Sequence, residues 1–111
     1  MNRPQRTNNP GNLRFANQKE ATGKDEYGMA IFPTAWAGWR ALHNQIRLDA
    51  SRGLTLQQFI SKYAPENENN TSDYLDFVVG ELNEPYDIRL DIISEYALAG
   101  VIAKMEGYFE I

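Results

Sequence analysis

The sequence contains no cysteine and only one histidine, His43, among its 111 residues. Without cysteine, the protein has no disulfide framework, no thiolate zinc site and no cysteine nucleophile. A single histidine cannot replace the missing thiolates, because zinc sites combine several His, Cys or carboxylate side chains. We therefore expect neither a metal ion nor a cofactor. We also expect His43 to be a core or groove-edge residue instead of a catalyst.

Long apolar runs and an excess of positive charge are absent as well. No stretch approaches the roughly 20 apolar residues that span a bilayer. The formal net charge is −4, the opposite sign to that of proteins that bind nucleic acid through its phosphates. The charged residues at positions 1–6 precede no apolar segment, so the N-terminus does not have the pattern of a secretory signal. These features predict a protein that neither spans a membrane nor binds nucleic acid.

What remains is typical of one small globular domain. Hydrophobic residues make up 42% of the chain and charged residues 23%, which are ordinary values for a folded protein. The length suits a single domain, and no internal repeat or low-complexity linker divides it. We therefore expect one domain over residues 1–111, acting as a monomer.

The hydrophobic pattern predicts a small β-lobe followed by helices. Short apolar segments at 12–15 and 28–32, separated by a polar connection, predict a β-hairpin. Beyond them, apolar residues recur at spacings of three and four, which is the helical period. The four helices are expected to begin at Thr34, Thr55, Thr71 and about Asp91. The predicted class is α+β and mainly α, with about four helices beside an N-terminal β-hairpin lobe.

The same spacing predicts which helical side chains are buried. In the first helix the expected core positions are Trp36, Trp39, Leu42, His43, Ile46 and Ala50. In the last helix they are Ile92, Ile93, Tyr96, Ala97, Val101 and Met105. The two tryptophans could instead stack on sugar rings, but aromatic residues on a helix stripe are more often part of a core.

Two Asn-rich segments are the most unusual polar features. They lie at 7–12 and 65–71, one before the predicted hairpin and the other before a predicted helix. Asn carries donors and an acceptor on a short arm, so two such turns could line a groove for sugar hydroxyl and acetamido groups. The alternative is that these residues only form turns and helix caps. Composition alone leaves both interpretations open.

Five segments in a fixed order carry a family resemblance. They are Asn-Asn-Pro-Gly-Asn-Leu-Arg at 8–14, Phe-Pro-Thr-Ala-Trp-Ala-Gly at 32–38, Gly-Leu-Thr-Leu at 53–56, the Tyr-Ala-Pro to Tyr segment at 63–74, and Met-Glu-Gly at 105–107. Their combination resembles a family of small phage and prophage proteins described as virion structural or lysozyme-like proteins. The resemblance covers nearly the whole chain.

The N-terminal half is also similar to glucosaminidase-type members of the lysozyme superfamily. In these proteins the catalytic Glu ends a helix that precedes an Asn-Asn strand. Here no acidic residue precedes Asn8, and the helix that ends in Glu-Gly is the last one, at Glu106 and Gly107. The resemblance therefore implies a circularly permuted lysozyme arrangement, which brings Glu106 beside the turn at 8–12.

This resemblance implies a peptidoglycan-degrading glycosidase, either a muramidase or a lytic transglycosylase. Such an enzyme cleaves the β-1,4 bonds of glycan strands by general acid catalysis, and Glu106 would be the acid. A hydrolase would add a second carboxylate, for which Glu68 is the candidate inside a matching motif. Other acidic candidates are Glu20, Asp25, Glu26 and Glu66. A lytic transglycosylase needs no second carboxylate, because the 6-hydroxyl group of the sugar attacks.

The implied substrate-binding residues are Asn8, Asn9, Asn12, Arg14, Tyr63, Asn69 and Thr71. The implied partner is the glycan strand of peptidoglycan, with other virion proteins as further candidates. The protein would be made in the bacterial cytoplasm without a signal peptide and delivered to the cell wall by a holin, a virion or secretion machinery.

One departure from the family leaves an alternative open. Members usually have Glu-Asn-Gly at the end of the last helix, whereas this chain has Glu106 followed directly by Gly107. The alternative is a non-catalytic phage or virion structural protein, or a glycan-binding protein, with the same fold. A small acidic protein that inhibits a host factor is a third possibility, for which only size and charge argue.

Overall fold

The computed structural model describes residues 1–65 and 70–109. This part of the chain is mainly helical, with a small antiparallel sheet, so the predicted α+β class is confirmed. The helices are α1 (Arg3–Arg6), α2 (Ala35–Ser51), α3 (Leu56–Tyr63), α4 (Thr71–Leu82) and α5 (Glu95–Met105). The strands are β1 (Gly23–Lys24) and β2 (Ala30–Ile31), and a 3-10 turn spans Leu90–Ile92. None of the helices described is long and apolar enough to cross a bilayer.

The long helices begin at capping side chains. The hydroxyl of Thr34 accepts a hydrogen bond from the backbone N–H of Ala37, and Thr55 accepts one from Gln58. Both caps were expected from the sequence. The Asn70 side chain caps α4, and the Ser94 side chain caps α5. Each cap satisfies a backbone donor that the first helical turn leaves without a partner.

The β-lobe is smaller than the sequence predicts. The pairs Gly23–Ile31 and Lys24–Ala30 form the whole ladder, and the expected strand at 12–15 is reduced to one isolated bridge between Arg14 and Met29. The reason lies at Asn12 and Asn17, whose φ angles of 48° and 57° are left-handed. These residues bound the extended segment on both sides. Its pairing is therefore limited to the hydrogen bonds from Phe15 N–H to the Gly28 carbonyl and from Ala30 N–H to the Leu13 carbonyl, both at 2.9 Å.

The core lies among α2, α3, α4 and α5. The predicted buried face of the last helix is wrong at four of its six positions, whereas Ile93 and Val101 are half-buried against the core. The side chains of Ile92, Tyr96 and Met105 are 65%, 76% and 37% exposed, and Ala97 is also exposed. The buried residues of α5 are Leu98, Ala99, Ile102 and Ala103. The predicted stripe begins at Ile92, which lies in the 3-10 turn and not in α5. Its phase was therefore shifted along the helix.

Trp36 is a second exception, because its side chain in the first turn of α2 is 75% exposed. Leu42 and Ile46 are buried as expected, whereas Trp39 and His43 are half-buried at the edge of the core. The predicted stripe is therefore correct in the middle of α2 and wrong at its start.

The two ends of the described chain meet, which brings the N-terminal turn next to the end of α5. The Asn2 side chain donates to the carbonyl of Gly107, and the Gln5 amide donates to the carbonyl of Tyr108 at 2.9 Å. The helix α1 is short and capped by Asn2. It was not predicted, because four residues are too few to show a helical period. The residues that follow α1 therefore begin beside the carboxyl end of α5.

Candidate active site

Glu106 caps the carboxyl end of α5, directly after Met105, and its carboxylate accepts hydrogen bonds from two side chains in distant parts of the chain. The Tyr74 hydroxyl in α4 donates to Oε2 at 2.7 Å. The Asn12 amide, in the turn after α1, donates to Oε1 at 3.3 Å. The helix stops here because Gly107 adopts a φ of 83°, which glycine tolerates without strain. Three segments thus converge on one carboxyl group.

Burial raises the pKa of the Glu106 carboxyl above its ordinary value of 4.5. The hydrogen bonds from Tyr74 and Asn12 favour the charged form and act in the opposite direction, but burial dominates. Burial, together with the charge of Glu106, also raises the pKa of the Tyr63 and Tyr74 hydroxyls. Both phenols therefore stay neutral and keep their protons. The result is a carboxylic acid that retains its proton to higher pH than an exposed Glu.

Glu106 lies in a cleft of about 610 Å³ between the β-lobe and α3. The described lining contains the aromatic side chains Tyr27 and Tyr63, the cations Arg3, Arg14 and Lys62, and the amides Asn12, Gln18 and Gln45. Within residues 1–65 and 70–109, Glu106 is the one carboxylate in this lining. Aromatic faces combined with many hydrogen-bond donors suit a polar ligand with apolar faces and anionic substituents.

Four of the predicted site residues line this cleft together: Glu106, Asn12, Arg14 and Tyr63. Asn12 directs its amide N–H towards the carboxylate, while its buried Oδ1 has no hydrogen-bond partner in the described part of the chain. The Tyr63 hydroxyl donates to the carbonyl of Gly11 and so joins α3 to the Asn-rich turn. The first Asn-rich segment therefore reaches the cleft through Asn12.

Asn9 has a structural role, which corrects its assignment to substrate binding. The side chain is fully buried. Its Nδ2 donates to the carbonyls of Leu13 and Ala30, both at 2.9 Å, and its Oδ1 accepts from the backbone N–H of Leu13 at 2.9 Å. These bonds occupy the amide group and shape the turn that presents Asn12.

We expect Asn9→Ala to destabilise the protein by about 2–4 kcal/mol, because it leaves buried backbone groups without partners. Urea unfolding monitored by circular dichroism measures the change. Asn44→Ala is the control, since Asn44 is an exposed asparagine whose side chain accepts one hydrogen bond, from Arg47. Equal losses in the two variants would show that the buried hydrogen bonds of Asn9 contribute little.

Asn8 and Thr71 are not among the residues that line the cleft, so their positions do not support the prediction that they bind substrate. The Asn8 amide donates to the carbonyl of Phe32 at 3.1 Å. Thr71 is buried, and its hydroxyl donates to the carbonyl of Ala64. Both side chains join neighbouring segments of the fold. Their part is to hold the surroundings of the cleft in place.

The second Asn-rich segment lies mostly outside the described residues, and with it the candidates Glu66, Glu68 and Asn69. Of the other acidic candidates, Glu20 forms an ion pair with Arg40, and Asp25 forms one with Arg3. Neither lines the cleft of Glu106. In the described part of the chain, no cluster of His, Asp and Glu side chains is arranged to hold a metal ion.

Sequence reasoning missed the role of Tyr74, whose apolar ring packs in the core while its hydroxyl reaches Glu106. It also missed Asp49, whose side chain is 1% exposed. Asp49 accepts hydrogen bonds from Lys62 at 2.6 Å and from Gln45 at 2.9 Å, both of which line the cleft. Burial alone would raise the pKa of Asp49, but the bonds from Lys62 and Gln45 outweigh it and lower that pKa. The available signal was an acidic residue three positions after buried Ile46 on the apolar face of α2.

No protein-family model matches the sequence. The chain is 29% identical over 110 residues to Protein P5 of Pseudoalteromonas phage PM2, and the match covers 92% of this chain and 69% of the phage protein. The protein is therefore similar to a bacteriophage protein.

Proposed function

We propose that the protein is a glycosidase that cleaves the β-1,4-linked glycan strands of peptidoglycan, with Glu106 as its general acid. The observation that carries this proposal is the placement of one half-buried carboxyl, with a raised pKa, inside a polar and aromatic cleft. Glycosidic oxygens are poor leaving groups unless they are protonated, and a carboxylic acid that keeps its proton near neutral pH supplies that proton.

Glu106 would transfer its proton to the glycosidic oxygen as the C1–O bond breaks and positive charge develops on the ring carbon. The carboxylate that remains is stabilised by the hydrogen bonds from Tyr74 and Asn12. In a lytic transglycosylase, the 6-hydroxyl of the same sugar then attacks C1 and returns its proton to Glu106. In a hydrolase, water is the attacking group and a second carboxylate takes part.

The cleft also offers groups suited to the substituents of the substrate. Peptidoglycan sugars combine apolar ring faces with acetamido groups, and every second sugar carries a lactyl side chain. Tyr27 and Tyr63 can pack against ring faces. Arg14 and Lys62 place positive charge beside the carboxylate groups of the attached peptides, although Asp49 offsets part of the charge of Lys62. These contacts would hold the strand with its scissile bond at Glu106.

The meeting of the chain ends supports the proposed permuted lysozyme arrangement, since Asn2 and Gln5 bond to the residues that follow α5. The similarity to a phage protein supports a role in a bacteriophage context. A phage enzyme of this kind would reach the cell wall with a holin, a virion or secretion machinery.

Digestion of purified sacculi, followed by mass analysis of the released fragments, tests the proposal. Fragments with a 1,6-anhydro end would identify a lytic transglycosylase, because water is not consumed in that reaction. Reducing-end fragments would identify a hydrolase, and would make Glu66 and Glu68 the first residues to substitute. Release of no fragments by folded protein would contradict the proposal and favour a non-catalytic phage protein.

Substitution of Tyr74 by Phe tests the hydrogen bond to the acid. We expect the maximal rate to fall by about tenfold, because one hydrogen bond to a charged group is lost. We also expect the pH at which activity declines on the alkaline side to move upward. The phenol favours the carboxylate form, so the pKa of Glu106 rises further without it, and the active, protonated form persists to higher pH.

The measurement is the initial rate of fragment release as a function of pH for Tyr74→Phe and the parent. Tyr86→Phe is the control, because the Tyr86 hydroxyl also donates to a carboxylate, that of Asp76 at 2.9 Å, but is far more exposed. A shift of the Tyr74→Phe profile towards lower pH would contradict the assigned role.

A further inference from the structure

A second groove, of about 540 Å³, runs between α2 and α5. The side chains that define it are Trp36, Arg40, His43, Asn44, Arg47 and Tyr96. Residues 36, 40, 43 and 47 follow one another at spacings of four, three and four, so they lie on one face of α2. Gln45, which lines the Glu106 cleft, lies on the opposite face of this helix. The groove is therefore separate from the candidate active site.

Two aromatic side chains on this groove are exposed to an extent that packing does not explain. Trp36 is 75% exposed and Tyr96 is 76% exposed, although aromatic residues usually bury most of their surface. The Tyr96 ring packs partly against His43, with ring centroids 4.7 Å apart. Most of the surface of both aromatic side chains is left available for a ligand.

The polar groups of the groove are fixed in place by Glu95. One carboxylate oxygen of Glu95 lies 2.6 Å from Nδ1 of His43, and the other accepts from Nε of Arg47 at 2.8 Å. The amide oxygen of Asn44 accepts from the same guanidinium at 3.3 Å. Oriented polar groups beside two exposed aromatic side chains therefore line the groove.

The charges of the groove are balanced within the protein. Arg47 is paired with Glu95, and Arg40 is paired with Glu20 through two hydrogen bonds. A strongly charged ligand would have to compete with these pairs, whereas a neutral ligand would not. The sugar rings of a glycan strand, with their hydroxyl and acetamido groups, are neutral. Their apolar faces pack on aromatic side chains, and their polar groups need directed hydrogen bonds.

We infer that this groove is a second glycan-binding site, which holds a β-linked amino-sugar strand away from the Glu106 cleft. Sugar rings pack on Trp36 and Tyr96, and ring substituents bond to His43, Asn44 and Arg47. The identity of the glycan rests on the proposed function, but binding in the groove does not require Glu106 to be catalytic. A protein that acts on an insoluble polymer gains from such a site, because a second contact raises the effective concentration at the first.

The test uses the full chain and purified sacculi. Both proteins compared carry Glu106→Gln, so that the polymer is not cut. One has no other change (the parent surface), and the other also carries Trp36→Ala and Tyr96→Ala. Binding to sacculi is measured by cosedimentation. We expect about tenfold or greater weakening of binding, because stacking surface is lost from both aromatic positions. Tyr86→Ala is the matched control, since Tyr86 is an exposed aromatic outside the groove, and it should bind as the parent does. Trp36→Phe should restore part of the affinity.

Activity separates this inference from the proposed function. With Glu106 intact, the double variant should release fragments from sacculi more slowly and cleave short soluble glycan fragments at the parental rate. Parental binding by the double variant, or no binding of sacculi by the parent surface, would overturn the inference. Binding that depends on Trp36 and Tyr96 without any fragment release would support the groove and refute the glycosidase. Measurable fragment release from sacculi at the same rate by the double variant and the parent would support the glycosidase and refute the groove as a binding site.

Discussion

The Glu106→Gln variant is expected to release fragments from purified sacculi about 10²–10⁴-fold more slowly than the parent, which is the usual contribution of a general acid. An amide cannot donate a proton to the glycosidic oxygen, although it has nearly the same shape as the acid. Its amide oxygen can still accept from Tyr74. Its N–H can donate to Oδ1 of Asn12, which has no partner in the described part of the chain, if the Asn12 amide flips. The substitution therefore removes the proton and keeps the packing.

The same variant should be as stable as the parent or more stable at neutral pH. Because burial raises the folded-state pKa of Glu106, the folded protein favours the neutral carboxyl. The parent bears no penalty below the unfolded value of 4.5 and loses stability as the pH rises from there through the raised folded pKa. The amide does not titrate. The difference in thermal midpoint between variant and parent should therefore be smallest near pH 4 and should favour the variant at pH 7.

Two measurements, fragment release and thermal unfolding at pH 4 and pH 7, check these expectations. Glu81→Gln is the matched control, because Glu81 is an acidic residue of α4 whose ion pair with Lys104 is exposed. It should retain full activity and change stability little. Retained activity in Glu106→Gln would remove Glu106 from the mechanism. If Glu106→Gln instead loses stability relative to the parent as the pH rises from 4 to 7, the ionised carboxylate of Glu106 stabilises the fold. That result would contradict a raised pKa and the role of proton donor.

The local chemistry of the sequence predicted the helices well, because the signals for their beginnings are short-range. Thr34 and Thr55 cap helices where they were expected to. The phase of α5 could not be read in the same way. Ile92 and Ile93 look like the first residues of an apolar stripe, but the 3-10 turn interrupts the helical period before Glu95. Which residues are buried there depends on the packing of α5 against α2 and α4, which no local pattern contains.

The candidate site, like the helices, could be predicted only in part from the sequence. The contact between Glu106 and Asn12 was expected only from the resemblance to a family, because the two residues are 94 positions apart. Within the Asn-rich turn, the sequence could not separate Asn9 from Asn12. Both have the same side chain, and only the left-handed backbone at Asn12 turns one towards the cleft while the other is buried. Backbone geometry of this kind follows from the packing of the turn, and that packing depends on α2.

The contact between the turn and α2 leads to the largest expected effect on stability, that of Gly38→Ala. A Cβ at this position would lie 1.8 Å from the backbone oxygen of Asn8 and 2.8 Å from Cδ of Pro10. Neither neighbour is a flexible side chain that can move aside. The turn would have to separate from the helix, and we expect a loss of at least about 3 kcal/mol, at or beyond the upper end of the usual range for overpacking.

Urea unfolding of Gly38→Ala, with Gly80→Ala as the control, measures this effect. Gly80 is also a helical glycine, but nothing lies within 4 Å of the Cβ it would gain, so alanine there should stabilise the protein by up to about 1 kcal/mol. Opposite signs for two identical substitutions would establish that close approach, and not helix propensity, requires glycine at position 38. Because displacement of the turn also moves Asn12 away from Glu106, any folded Gly38→Ala protein should have lost activity as well. A stable and fully active Gly38→Ala variant would mean that the turn and α2 do not meet as the structure shows.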